Sequence, residues 1–269
     1  MPQFNPNARP NETHVLTASA RIALACLDLT SLNEADTESD IAQLCRRAQS
    51  PFGPVAAVCV WPRLAAFARA QLPAHIRVAA VANFPYGHAD VAAAVQDTRQ
   101  IVHAGAQEVD VVLPYQALMA GDALAVTKLL TAVRHACPGL VLKVILETGE
   151  LKTPALIARA SQLALDAGAD FLKTSTGKTA VSATPQAASV ILATIAAHPT
   201  ARTLAGFKAA GGIRTVRETA LYEALVLRHL GVEALTPKRF RIGASSLLMD
   251  IEAVLAGMTD ATVTQPGSY

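Results

Sequence analysis

A repeat constrains this chain more than any other feature. Beyond about residue 20 it sets down eight short apolar runs rich in Val, Ile, Leu and Ala, beginning near Ile22, Val55, Arg77, Glu108, Val141, Phe171, Gly206 and Phe240. Their spacing of roughly 22 to 35 residues leaves room for a strand, a turn and a helix in each unit. Near-continuous apolar strands belong in a parallel sheet covered on both faces. Helix signals stand between them. Thr153-Pro154 and Thr184-Pro185 each put a capping hydroxyl before a first-turn proline. Gly105 and Gly168 stand where helices should end. Eight such units predict an α/β fold, a single-domain (β/α)8 TIM barrel over residues 21–258. A doubly wound sheet is the alternative, and it needs fewer strands and a sharper glycine fingerprint. Residues 1–20, with Pro2, Pro6 and Pro10, read as a flexible N-terminal arm, and 259–269 as a flexible C-terminal tail.

Charge and cysteine content remove several function classes. A net charge of +2 favours neither nucleic acid nor an anionic membrane. The densest basic cluster, Lys238, Arg239 and Arg241, reads as a solvated loop. No run of about 18 apolar residues predicts a membrane span, and the N-terminus lacks the pattern of a signal peptide. Cys26, Cys45, Cys59 and Cys137 show no CxxC spacing and read as reduced thiols of a cytoplasmic protein. The seven histidines show neither HxH nor HxxxH spacing, so no histidine metal site is expected.

The chemistry lies in polar residues set within the apolar strands. In Phe171-Leu172-Lys173-Thr174 a lysine interrupts a buried run. A charged, unpaired lysine there costs several kcal/mol, and a neutral amine, nucleophilic toward carbonyls, is the alternative. Asp28, Asp110, Lys143 and Lys208 occupy comparable places in other strands. Side chains alternate across a strand, so their apolar neighbours face the helices while these five face the barrel interior. The bland reading is a structural ion-pair network. Lysines outnumber aspartates, however, and such a network has no use for surplus positive charge. Lys208, on the strand after that of Lys173, is expected to disfavour a second ammonium by about 4 kcal/mol at 4 Å. Asp110 and Lys143 are candidates for proton transfer.

Glycine and serine residues supply an anion site. Lys208-Ala209-Ala210-Gly211-Gly212 ends the seventh strand and Gly243-Ala244-Ser245-Ser246 the eighth, where such barrels recurrently bind phosphate. Thr176, Gly177 and Lys178 after the sixth strand add to it. Ser175-Thr176-Gly177-Lys178-Thr179 also looks like the end of a nucleotide P-loop, but Leu172 stands where that motif needs glycine.

From about Leu24 onward the chain carries Leu27-Asp28-Leu29-Thr30, Glu108-Val109-Asp110-Val111-Val112, Leu142-Lys143-Val144-Ile145-Leu146-Glu147-Thr148-Gly149-Glu150-Leu151, the lysine segment, Gly206-Phe207-Lys208 and Gly243-Ala244-Ser245-Ser246-Leu247. In these motifs it resembles the deoxyribose-phosphate aldolase family. The resemblance implies a class I aldolase that splits 2-deoxy-D-ribose 5-phosphate into D-glyceraldehyde 3-phosphate and acetaldehyde without cofactor or metal. It implies Lys173 as the Schiff-base lysine, Lys208 as the neighbour that keeps it neutral, Asp110 as the acid/base carboxylate, and Lys143 and Asp28 in support. Gly177, Lys178, Gly211, Gly212, Ser245 and Ser246 match phosphate positions, and Tyr269 matches a tail tyrosine that assists proton transfer. It also implies a homodimer with small sugar phosphate and aldehyde substrates as partners. The expected scission is at C3–C4, with the proton leaving the C4 hydroxyl. Ala209 stands where the family usually has proline, which predicts a looser Lys208. Another Schiff-base aldolase, a transaldolase and a non-catalytic sugar-phosphate binder are the rival readings.

Overall fold

The computed structural model describes residues 10–258. Eight parallel strands close into a barrel: β1 (Leu27–Thr30), β2 (Ala57–Val60), β3 (Arg77–Ala82), β4 (Glu108–Val112), β5 (Val141–Ile145), β6 (Phe171–Lys173), β7 (Gly206–Ala210) and β8 (Phe240–Ala244). Each strand pairs with the next, and β8 returns to β1 with Leu27 opposite Ile242 and Asp28 opposite Gly243. Helices alternate with the strands, and those that matter below are α1 (Pro10–Ala25), α10 (Val216–Leu230) and α11 (Leu247–Leu255). The helices that start at Pro154 and Pro185 carry the expected caps. Thr153 accepts from the Leu156 N–H and Thr184 from the Ala187 N–H. The chain turns left-handed at Gly105 and Gly168.

The barrel follows from alternation along each strand. In β4, Val109 and Val111 join the core under the helices, while Glu108 and Asp110 project into the barrel. The expected strand starts coincide with the observed ones from Arg77 to Phe240, and the second strand starts at Ala57, two residues after Val55.

The first expected strand is corrected. Ile22 lies inside α1, and the strand begins at Leu27. Leu16, Ala20, Ala23 and Leu24 recur at helical spacing and meet the core along one helix face. The proposed arm over residues 1–20 is likewise helical from Pro10, and α1 lies against α10 and α11.

One buried group sits at this seam. Glu223 of α10 is nearly inaccessible, and its Oε1 has no hydrogen-bond partner among the described residues. Burial pushes its carboxyl up to about 7, with the hydroxyls of Ser19 and Thr219 offsetting only part of the shift. The folded carboxyl therefore holds its proton to higher pH than the unfolded one. Its contribution is full below the ordinary 4.5 and is lost as pH rises through about 7. Glu223→Gln is expected to be more stable than the parent by about 3 kcal/mol at pH 8 and nearly equal at pH 4.5. Urea unfolding at the two pH values checks this, and an equal difference at both would contradict it.

Candidate active site

A column of charge runs through the barrel interior. Lys173, at the end of β6, donates to Asp110 Oδ2 at 2.8 Å, and Lys208 of β7 donates to the same oxygen at 2.8 Å. Lys143 of β5 takes the other oxygen of Asp110 at 2.8 Å and also pairs with Glu108. Lys208 reaches Asp28 of β1 as well. Arg241 of β8 closes the column, with Nη1 at 2.6 Å from Asp28 and Nη2 at 2.8 Å from Glu108. All seven residues are buried.

Six of the seven are favoured in their ionised form in the resting column. Burial opposes ionisation of Asp110, but attraction from Lys143, Lys173 and Lys208 outweighs it and holds the carboxyl well below its usual range. Burial is outweighed in the same way at Asp28 by Lys208 and Arg241, and at Glu108 by Lys143 and Arg241. On the cationic side burial is again the opposing effect. Asp110 and Asp28 raise Lys208, Asp110 and Glu108 raise Lys143, and Asp28 and Glu108 raise Arg241 above their ordinary ranges. Cys59, beside Asp110, stays a neutral thiol because burial pushes it up.

Three carboxylates are therefore balanced by Lys143, Lys208 and Arg241, and Lys173 is left over. Among the described residues it pairs with Asp110 alone, whereas Lys143 has three carboxylates within 4 Å. Lys173 is also the one of the seven that lines the pocket at the C-terminal mouth. Lys173 is thus the one amine of the column that both exceeds the carboxylate count and reaches the pocket.

The pocket, about 330 Å³, gathers the expected anion-binding residues around Lys173: Thr176, Gly177, Lys178, Gly211, Gly212, Gly243, Ser245 and Ser246. Glycine is required at two of them for different reasons. Gly211 has φ +89°, and a Cβ there would lie 2.6 Å from Ser182 and 3.2 Å from the Gly177 Cα, so the loops after β6 and β7 could not approach. A Cβ on Gly243 would sit 3.0 Å from the Lys208 Cε and obstruct that side chain on its way to Asp28. α11 begins directly after Ser246, so its free N–H groups lie at the pocket rim. Lys178 donates to the Leu32 carbonyl at 2.8 Å, tying the β6 loop to the β1 loop. The Thr176 hydroxyl is committed to Glu147 and to the Lys178 N–H.

Four participants were not singled out from sequence. Glu108 is two residues from Asp110, and Arg241 two from Gly243, so strand alternation places both inward. Arg241 is thus corrected from a solvated loop to a buried strand position. Lys238 keeps the solvated position expected of it. Glu147 leaves β5 at φ +55° and accepts from the Thr176 N–H and hydroxyl and the Thr179 hydroxyl, a tertiary role that no periodicity announces. Arg214 adds a further cation to the pocket wall. Lys208 is held on both sides by Asp28 and Asp110, so Ala209 does not leave it loosely aimed. Tyr269 lies outside the described residues.

The DeoC/LacD family aldolase model matches residues 22–250. The chain belongs to the DeoC/LacD aldolase family. It is 48% identical over 252 residues to a deoxyribose-phosphate aldolase of Agrobacterium fabrum (strain C58), a match that covers 93% of this chain and 94% of that protein. The fold is shared with a crystal structure from Toxoplasma gondii ME49 at TM-score 0.85 and 24% identity, covering 94% of this chain and 99% of the other. It is also shared with the deoxyribose phosphate aldolase of Aeropyrum pernix, described as tetrameric, at TM-score 0.68 and 23% identity, covering 91% and 98%. Within an aldolase family, a surplus amine beside a carboxylate at the barrel mouth is the element that can form and hydrolyse an imine.

Proposed function

We propose that this family member is a class I deoxyribose-phosphate aldolase with Lys173 as its imine-forming residue. The observation that carries the assignment is the charge balance, because Lys173 is the one cation the column does not need. Its amine attacks the C1 aldehyde of the ring-opened sugar. Asp110, in contact with Nζ, moves the protons that turn the carbinolamine into an iminium with loss of water. The iminium is the electron sink for carbon–carbon cleavage.

Atom balance corrects the expected scission. Products of two and three carbons require the C2–C3 bond to break and the C3 hydroxyl to lose its proton. Asp110 takes that proton, with Lys208 and water completing the relay. The bond pair passes through C2 to the iminium nitrogen, leaving an enamine. Protonation of the enamine at C2 and hydrolysis release acetaldehyde and free Lys173. Lys143, Asp28, Glu108 and Arg241 hold Asp110 and Lys208 in place.

The phosphate is assigned to Gly177, Lys178, Gly211, Gly212, Ser245 and Ser246, which combine backbone N–H groups, a helix N-terminus and a cation. A reduced intracellular setting accords with four free, buried cysteines, and no helix among the described residues is long and apolar enough to cross a membrane. Self-association into a homodimer remains part of this reading.

The test is a coupled assay of 2-deoxyribose 5-phosphate cleavage beside unphosphorylated 2-deoxyribose. The phosphorylated sugar should turn over with a much lower KM. Gly211→Ala should raise that KM about tenfold or more and change kcat less, because it forces apart loops that bind the phosphate remote from the reacting carbons. Equal KM values for the two sugars would contradict the assignment of the phosphate site.

A further inference from the structure

The N-terminal ends of the strands surround a second cavity of about 670 Å³, at the mouth opposite Lys173. Its lining includes Arg77 and Phe171, which start β3 and β6, and Lys238, which precedes β8. Arg21 of α1 also borders it, and Arg241 and Glu108 belong to its wall. The charge is one-sided. Among the described residues Glu108 is its one carboxylate, and both Lys143 and Arg241 already bind it. Arg21, Arg77 and Lys238 are exposed and have no carboxylate partner among the described residues. Arg241 uses four of its five donors, on Pro237, Asp28 and Glu108, and keeps one N–H on Nη2. Between the cations the wall is apolar, with Leu24, Val55, Val141 and Phe171.

We propose that this mouth is a binding site for a small organic anion, a carboxylate or phosphate ester carried on an apolar body. Unpaired cations converging on a concave site raise the local concentration of anions. The apolar wall contributes where the ligand carries hydrocarbon and gives nothing to a bare inorganic ion. The site is separate from the catalytic pocket but shares Arg241 and Glu108 with the far end of the charge column. The cluster that reads as a solvated basic loop in the sequence thus supplies Lys238 to the rim and Arg241 to the wall.

The probe is 8-anilinonaphthalene-1-sulfonate, titrated by fluorescence against the full chain. One saturable site is expected. Its Kd should rise about tenfold or more in Arg77→Glu and again in Lys238→Glu, and stay unchanged in Lys178→Glu at the catalytic mouth. Both rim positions are exposed, and a thermal midpoint equal to the parent's confirms folding of each variant. Benzoate should displace the probe at lower concentration than inorganic phosphate. Loss of binding in Lys178→Glu with none in the rim variants, or binding that fails to saturate, would overturn the proposal.

Discussion

Lys173→Leu is expected to abolish turnover and leave the fold as stable as the parent's. Loss of the imine should cost at least about 10⁴-fold in kcat, or more than about 5 kcal/mol of transition-state stabilisation. Removing a buried cation normally destabilises by several kcal/mol, because its partner is left uncompensated. Here Asp110 keeps Lys143 and Lys208, and the column retains three carboxylates and three cations. The unfolding free energy should therefore lie within about 1 kcal/mol of the parent's, or above it. Steady-state kinetics with urea denaturation on the same preparation tests both halves. A variant that is inactive because it is unfolded would contradict the charge balance.

Lys208→Leu is the complementary case and should behave differently. It also leaves three carboxylates and three cations, but Lys173 is now one of the three. The three surviving carboxylates then match its charge, and the amine is expected to be less available as a nucleophile. Activity at pH 7 should fall about 100-fold and recover in part on going alkaline, moving the pH optimum up by about one to two units. If Lys208 served only to hold the barrel together, the rate would fall equally at every pH. The pH–rate profile of the variant separates the two roles, and a profile of unchanged shape would remove Lys208 from the electrostatic account.

The sequence showed the frame of this molecule more fully than its wiring. Strand starts from Arg77 to Phe240 were legible because parallel strands buried on both faces read as apolar runs between helix caps. Ile22 misled because an apolar stretch fits a strand as well as a helix. Only the stripe of Leu16, Ala20, Ala23 and Leu24 tells them apart. The lysines and aspartates stood out as polar residues in apolar company. Glu108 and Arg241 did not, since each sits at a strand's beginning, where a charge looks like the edge of a loop. Which cation meets which carboxylate depends on the stagger of eight strands, a property of the closed barrel that no single segment encodes. Glu147 is the extreme example, because its ligands Thr176 and Thr179 lie about 30 residues away in the next loop.

Reductive trapping tests the central claim most directly. The full chain is incubated with acetaldehyde and sodium borohydride, digested, and mapped by mass spectrometry. The charge balance of the barrel predicts a single N-ethyl-lysine at position 173. An adduct on Lys143, Lys178 or Lys208 in its place, or none at all, would contradict it.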